Sequence, residues 1–200
     1  KEPVIPGFIL RGEIESTIAA MGGGKIPVRF VGEDALVIYD NPRATPRVQI
    51  PALSSTEQYP LEQALILRGY ANHETGHIRY SDIPYIWAFA KKRLSPPLAA
   101  IFGVPNSKAQ INTPAERAAL GISEKEFWTW KTFNLIDNAI EDWRLERELK
   151  KEFPGSFINI GKTREHINNR QAGELAEAKQ LPMPNALRAL VARARCIAKG

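Results

Sequence analysis

The chain is short of the residues on which several functional classes depend. A single cysteine, Cys196, stands among 200 residues. One thiol excludes an internal disulfide framework and fits a reducing compartment, so a cytoplasmic location is expected. No apolar run reaches the length of a membrane span, and the first residues do not read as a signal peptide. Gly22-Gly23-Gly24-Lys25 is glycine-rich but lacks the spacing and the following Ser/Thr of a phosphate-binding loop. A flexible turn leading into a strand is the expected form. No internal repeat is evident. Charge of one sign is also scarce: 27 Lys and Arg against 22 Asp and Glu leave a formal +5. The basic residues interleave with acidic ones, as in Glu141 to Lys151, which describes a solvated helix face. A membrane is not an expected partner, and a solvated face is preferred to a nucleic-acid surface.

Histidine is equally scarce, with three in the chain, and two of them are four residues apart. They form His73-Glu74-Thr75-Gly76-His77. On a helix, positions i and i+4 lie one above the other on one face, so both imidazoles can hold one metal ion. Glu74 then reaches a metal-bound water as general base, the pattern of zinc hydrolases. The bland alternative is a surface helix with two histidines and a solvated glutamate. The preceding segment, Leu61 to Tyr70, is mostly apolar and argues for a buried helix. Buried polar side chains need partners, and a metal supplies one.

The length suits one sizeable domain. Lys1 in place of Met, and the helix-like residues at the end, lead us to expect a longer parent protein. Residues 1–60 read as the β-rich part and 61–200 as the helical part. Within the first, Glu13 to Met21 reads as a short helix stopped by Gly22. Ile26 to Val31 and Ala35 to Tyr39 are β-branched and apolar around Gly32-Glu33-Asp34, a hairpin signal. Arg47 to Ile50 reads as a third strand, completing a small antiparallel sheet and offering an edge for an extended peptide. Pro60 opens the metal helix, which ends near Ser81-Asp82 before Pro84. Asp82 is either an outer partner that orients a histidine ring or the cap of the next helix, Ile83 to Leu94.

Residues 93–114 read as a connector holding a short apolar piece, Leu98 to Phe102. Thr113-Pro114 starts a short helix stopped at Gly121. Ser123-Glu124-Lys125-Glu126 is a capping box that starts a long helix to about Phe153. In that helix Phe133, Ile136, Ile140 and Trp143 form one apolar stripe, expected to be buried. Beside it runs a polar stripe of Asn134, Asp137, Asn138, Glu141 and Asp142. A catalytic zinc takes three protein ligands and leaves a fourth position open. Glu141 is the expected third ligand, with Asn138 and Asp142 as outer groups that orient the set. Pairing of Glu141 with Arg144 is the alternative. His166 is a competing ligand, an oxyanion donor or a plain surface histidine. Tyr80, Tyr85 and His166 are the candidate donors to an oxyanion. Leu187, Leu190, Val191, Ala194 and Ile197 form a last helical stripe for packing or docking, near Arg188, Arg193 and Arg195.

His73-Glu-Thr-Gly-His77 with Arg79-Tyr80-Ser81-Asp82, and then Asn138-x-x-Glu141-Asp142-x-Arg144-x-Glu146, resembles a gluzincin-type region. Similar pairs of helices occur N-terminal to von Willebrand factor A domains in some bacterial and phage proteins. Some of these are described as similar to the T subunit of aerobic cobaltochelatase. The resemblance covers roughly residues 60 to 150. It implies an α+β, zincin-like fold with zinc held by His73, His77 and Glu141, and Glu74 as base. It also implies a peptide or protein substrate and an A-domain or AAA-type partner. These residues hold no A domain and no Asp-x-Ser-x-Ser motif. The rival expectations are a metallopeptidase, a non-catalytic zinc-stabilised interaction module, and a nucleic-acid-associated factor.

Overall fold

The computed structural model describes residues 2–41, 43–93 and 114–177. Among them, five short strands all precede residue 61 and six α-helices make up most of the described chain. The order is β1 (Val4–Pro6), α1 (Gly7–Gly22), β2 (Val28–Phe30), β3 (Leu36–Ile38), β4 (Arg47–Ile50) and β5 (Gln58–Pro60), followed by helices. These are α2 (Leu61–Tyr80), α3 (Ile83–Arg93), α4 (Pro114–Ala119), α5 (Glu124–Glu152) and α6 (Ser156–Glu177). The fold class is α+β, as expected, and mostly helical. No described helix is long and apolar enough to cross a membrane.

Two compact units share the chain. The first holds Lys1–Ile38, Thr45–Ser81 and Asp142–Gly173. Its core sets Leu10, Ile14 and Ile18 of α1 against Ala64, Leu67 and Ala71 of α2, with Val48 and Ile50 of β4. The i, i+4, i+8 spacing of the α1 residues gives that helix one continuous apolar face. A second cluster joins Met21 to Leu145 and Leu149 of α5 and Ile160 of α6. Helix α1 begins six residues before its expected start. Burial of Leu10 outweighs the roughly 1 kcal/mol that Gly12 costs inside a helix. Gly23, at φ 82°, ends it.

The sheet departs from the expected hairpin. β2 and β3 do not pair with each other; β4 lies between them, parallel to β2 and antiparallel to β3. A separate antiparallel pair joins β1 to β5. Val48 and Ile50 are almost fully buried, whereas β2 and β3 are half-buried or more exposed. The most deeply buried strand, not the most apolar one, takes the centre, and Arg47–Ile50 is not the edge expected for a peptide.

The second unit contains Tyr39–Ala44 and Asp82–Glu141. Asp82 accepts from the Tyr85 amide at 3.0 Å and so caps α3, the second of its two expected roles. The capping box forms as expected: Ser123 N donates to Glu126 Oε2 at 3.0 Å and Glu126 N to Ser123 Oγ at 3.2 Å. Ile122 and Phe127 form a small cluster with Trp128 and Trp130, and the Arg117 guanidinium lies 4.5 Å from the Phe127 ring centre.

The expected buried stripe of α5 is overturned where its side chains are described. Ile140 is 60 % exposed and Trp143 43 %. The buried face is instead Leu145, Glu146 and Leu149, set by packing on α2. The side chains of Phe133, Asn134 and Ile136, the connector at 94–113 and the last helical stripe lie outside the described residues.

Candidate metal centre

Every residue of the candidate centre lies in the first unit. The HExxH sequence occupies the last two turns of α2. Two glycines on that helix set how near its neighbours come. A Cβ at Gly69 would fall 2.7 Å from the Asn159 carbonyl carbon of α6. One at Gly76 would fall 2.6 Å from Leu149 Cδ1 and 2.8 Å from Leu145 Cδ1 of α5. Gly69, His73, Gly76 and His77 are spaced i, i+4, i+7 and i+8, so they share one face. The histidines therefore point at the helix that Gly76 allows to approach.

At that approach a short carboxylate reaches both rings. His73 Nε2 lies 3.6 Å and His77 Nε2 3.4 Å from the same Asp142 Oδ1. Two ligand atoms, each 2.0–2.1 Å from a tetrahedral zinc, are separated by about 3.4 Å. Among the described residues, His73, His77 and Asp142 form a group whose ligand atoms all lie within 4.8 Å of one another. The ring centres are 5.0 Å apart and nearly perpendicular, at 81°. The two imidazoles thus present nitrogens to one point without stacking.

Each remaining ring nitrogen also has a neighbour. His73 Nδ1 is 3.3 Å from Glu146 Oε1. His77 Nδ1 is 3.3 Å from Ser81 Oγ. Ser81 leaves the helix in an extended conformation while its amide still donates to the His77 carbonyl, which keeps its hydroxyl beside that ring.

Glu74 is only 8 % exposed. Burial pushes its pKa up, and the adjacent His73 and His77 oppose that shift. Asp142 reinforces it, whereas the Val37 amide, donating to the carboxylate, lowers it.

Among the described residues the group contains Asp142 and not Glu141, the expected third ligand. Successive residues on an α-helix point about 100° apart, so only one of the pair can face the histidines. Glu141 instead neighbours Asp137, whose carboxyl it pushes up after burial has done so. Arg144 donates to the Tyr80 carbonyl and ties α5 to the end of α2. The Tyr80 hydroxyl donates to Glu152 at 2.6 Å, alongside Arg79, and is committed there rather than to the histidines. His166 is exposed on α6, Asn138 is exposed on α5 and Tyr85 is 65 % exposed on α3.

Glu146 and Ser81 were not singled out from sequence, although both fall inside the two motifs. The usable signal was spacing: Glu146 is four residues after Asp142, and Ser81 four after His77. No family model, curated protein or solved structure matches this chain.

Proposed function

We propose that the chain is a zinc-dependent metallopeptidase, with His73, His77 and Asp142 as ligands and Glu74 as general base. The observation that carries this reading is the convergence of both Nε2 atoms on one Asp142 oxygen, beside a buried carboxylate. Two nitrogens and one oxygen suit zinc and leave a fourth position for water or substrate. Zinc there would make water acidic near neutral pH and polarise a scissile carbonyl. Glu74 takes the proton that water gives up on attacking the peptide carbonyl, and passes it to the leaving amine. Asp142 and the two imidazoles hold the ligand geometry fixed while Glu74 acts. On this reading the fold is zincin-like, with aspartate rather than glutamate as third ligand. It acts on a peptide or protein in the reducing cytoplasm, with a von Willebrand A-domain or AAA-type protein as partner.

A second reading is a zinc-stabilised interaction module without catalysis. It is favoured by the burial of Glu74, which is only 8 % exposed inside the fold. Glu74→Gln separates the two. Zinc content and hydrolysis of a mixed peptide library are measured on the native chain and the variant. A peptidase keeps its zinc and loses hydrolysis by about 100-fold or more. A native chain that holds zinc and cleaves nothing supports the module, and one that holds no zinc refutes both.

A further inference from the structure

Resting on the metal reading above, we infer that Glu146 is a positioning residue, held by Arg164, that fixes the His73 ring with Nε2 aimed at the cation position. Asp142 and Glu146 are four residues apart on α5 and so share a face. Between them sits one imidazole. Asp142 Oδ1 is on its Nε2 side at 3.6 Å, and Glu146 Oε1 on its Nδ1 side at 3.3 Å. A neutral imidazole carries its proton on one nitrogen, and the metal ligand must be the bare one. A carboxylate accepting from Nδ1–H keeps the proton there and makes Nε2 the more basic donor.

The surroundings of Glu146 are costly unless they serve a purpose. It is 5 % exposed, and its other oxygen pairs with Arg164 of α6. The Arg164 guanidinium is in turn 5.8 Å from the Phe157 ring centre. Replacing a buried ion pair by apolar residues is often neutral or stabilising, so stability alone does not account for it. Orientation does. Next to Arg164, Thr163 Oγ1 donates to the Ile66 carbonyl at 2.7 Å, and α6 presses on Gly69, one turn before His73. Helix α6 therefore reaches the metal ligand by both backbone packing and a chain of two charges, Arg164 partly buried and Glu146 almost fully buried. The corresponding nitrogen of His77, Nδ1, meets the neutral Ser81 hydroxyl at 3.3 Å, with no charged brace there among the described residues.

The test measures Zn2+ affinity on the whole chain by competition with a chromophoric chelator, together with unfolding of the metal-free protein. Three forms are compared: Glu146→Gln, the pair Glu146→Leu with Arg164→Leu, and the control Glu148→Gln, whose carboxylate pairs with Lys151. The pair removes both charges and leaves neither orphaned, so the fold is retained. Affinity is expected to fall by about 10-fold in Glu146→Gln and up to about 100-fold in the pair. The control stays unchanged. The visible spectrum of the Co2+-loaded pair is expected to differ from that of the native chain, which a packing role would not produce. A pair that binds zinc as tightly as the native chain overturns the inference. A native chain that binds no zinc overturns the metal reading itself, and this inference with it.

Discussion

Alanine at Gly69 would place a methyl group 2.7 Å from the Asn159 carbonyl carbon, and closer still to Thr163 Oγ1. Ordinary contacts between carbon atoms need 3.5–4.0 Å, so α6 must withdraw from α2 by about 1 Å. Overpacking of this kind costs about 1–3 kcal/mol. Loss of the Thr163 hydrogen bond to the Ile66 carbonyl, 2.7 Å long, adds about 1 kcal/mol. The higher helix propensity of alanine returns about 0.8–1 kcal/mol. The net expectation is destabilisation of about 1–3 kcal/mol. Gly12→Ala is the matched control, since no atom lies within 4 Å of a Cβ there. With only the propensity gain, that variant is stabilised by about 0.5–1 kcal/mol. At roughly 2–4 °C per kcal/mol for a chain of this size, thermal unfolding of the metal-free proteins should separate the two variants by about 3–16 °C. Equal midpoints would refute the close approach of α6, and with it the route by which Arg164 braces the centre.

Asp142→Ala should weaken Zn2+ binding by more than about 100-fold, beyond the loss typical of an outer partner, while Glu141→Ala leaves it unchanged. Chelator competition that ranks them the other way would restore Glu141 as the ligand. For Tyr80, burial and then the hydrogen bond to Glu152 push the phenol from 10.0 up to about 12. A raised folded-state value favours the protonated phenol in the folded chain, so its contribution is complete below about pH 10 and disappears as pH rises through about 12. The stability difference between the native chain and Tyr80→Phe should therefore narrow across that window in denaturant titrations. A difference that stays constant would show that the phenol titrates as it does in the unfolded chain.

Helix α2 could be read directly from sequence because its signals are local. Pro60 at the start, the apolar segment after it and His73-x-x-x-His77 fix a helix and a shared face by backbone geometry alone. The capping box at Ser123 to Glu126 is local in the same way, since each partner is within three residues. Strands β2, β3 and β4 match expected segments but pair differently, and the β1–β5 pair has no counterpart among the expected strands. Pairing is decided by which strand buries most, and Val48 and Ile50 reveal that only when the α1–α2 core lies over them. Glu141 and Asp142 show the same limit within one turn of helix. Both are carboxylates in one polar stripe, and nothing local says which of the two directions faces α2.

What the sequence determined by itself was the pair of imidazoles, the neighbouring carboxylate and the helix that carries them, since the α-helical repeat converts spacing into a face. Only the tertiary structure decided that aspartate completes the group and that Glu146 stands behind His73. Gly76 and Gly69 let α5 and α6 close on α2, and at that separation the shorter side chain, one position on, is the one whose direction and length meet both Nε2 atoms.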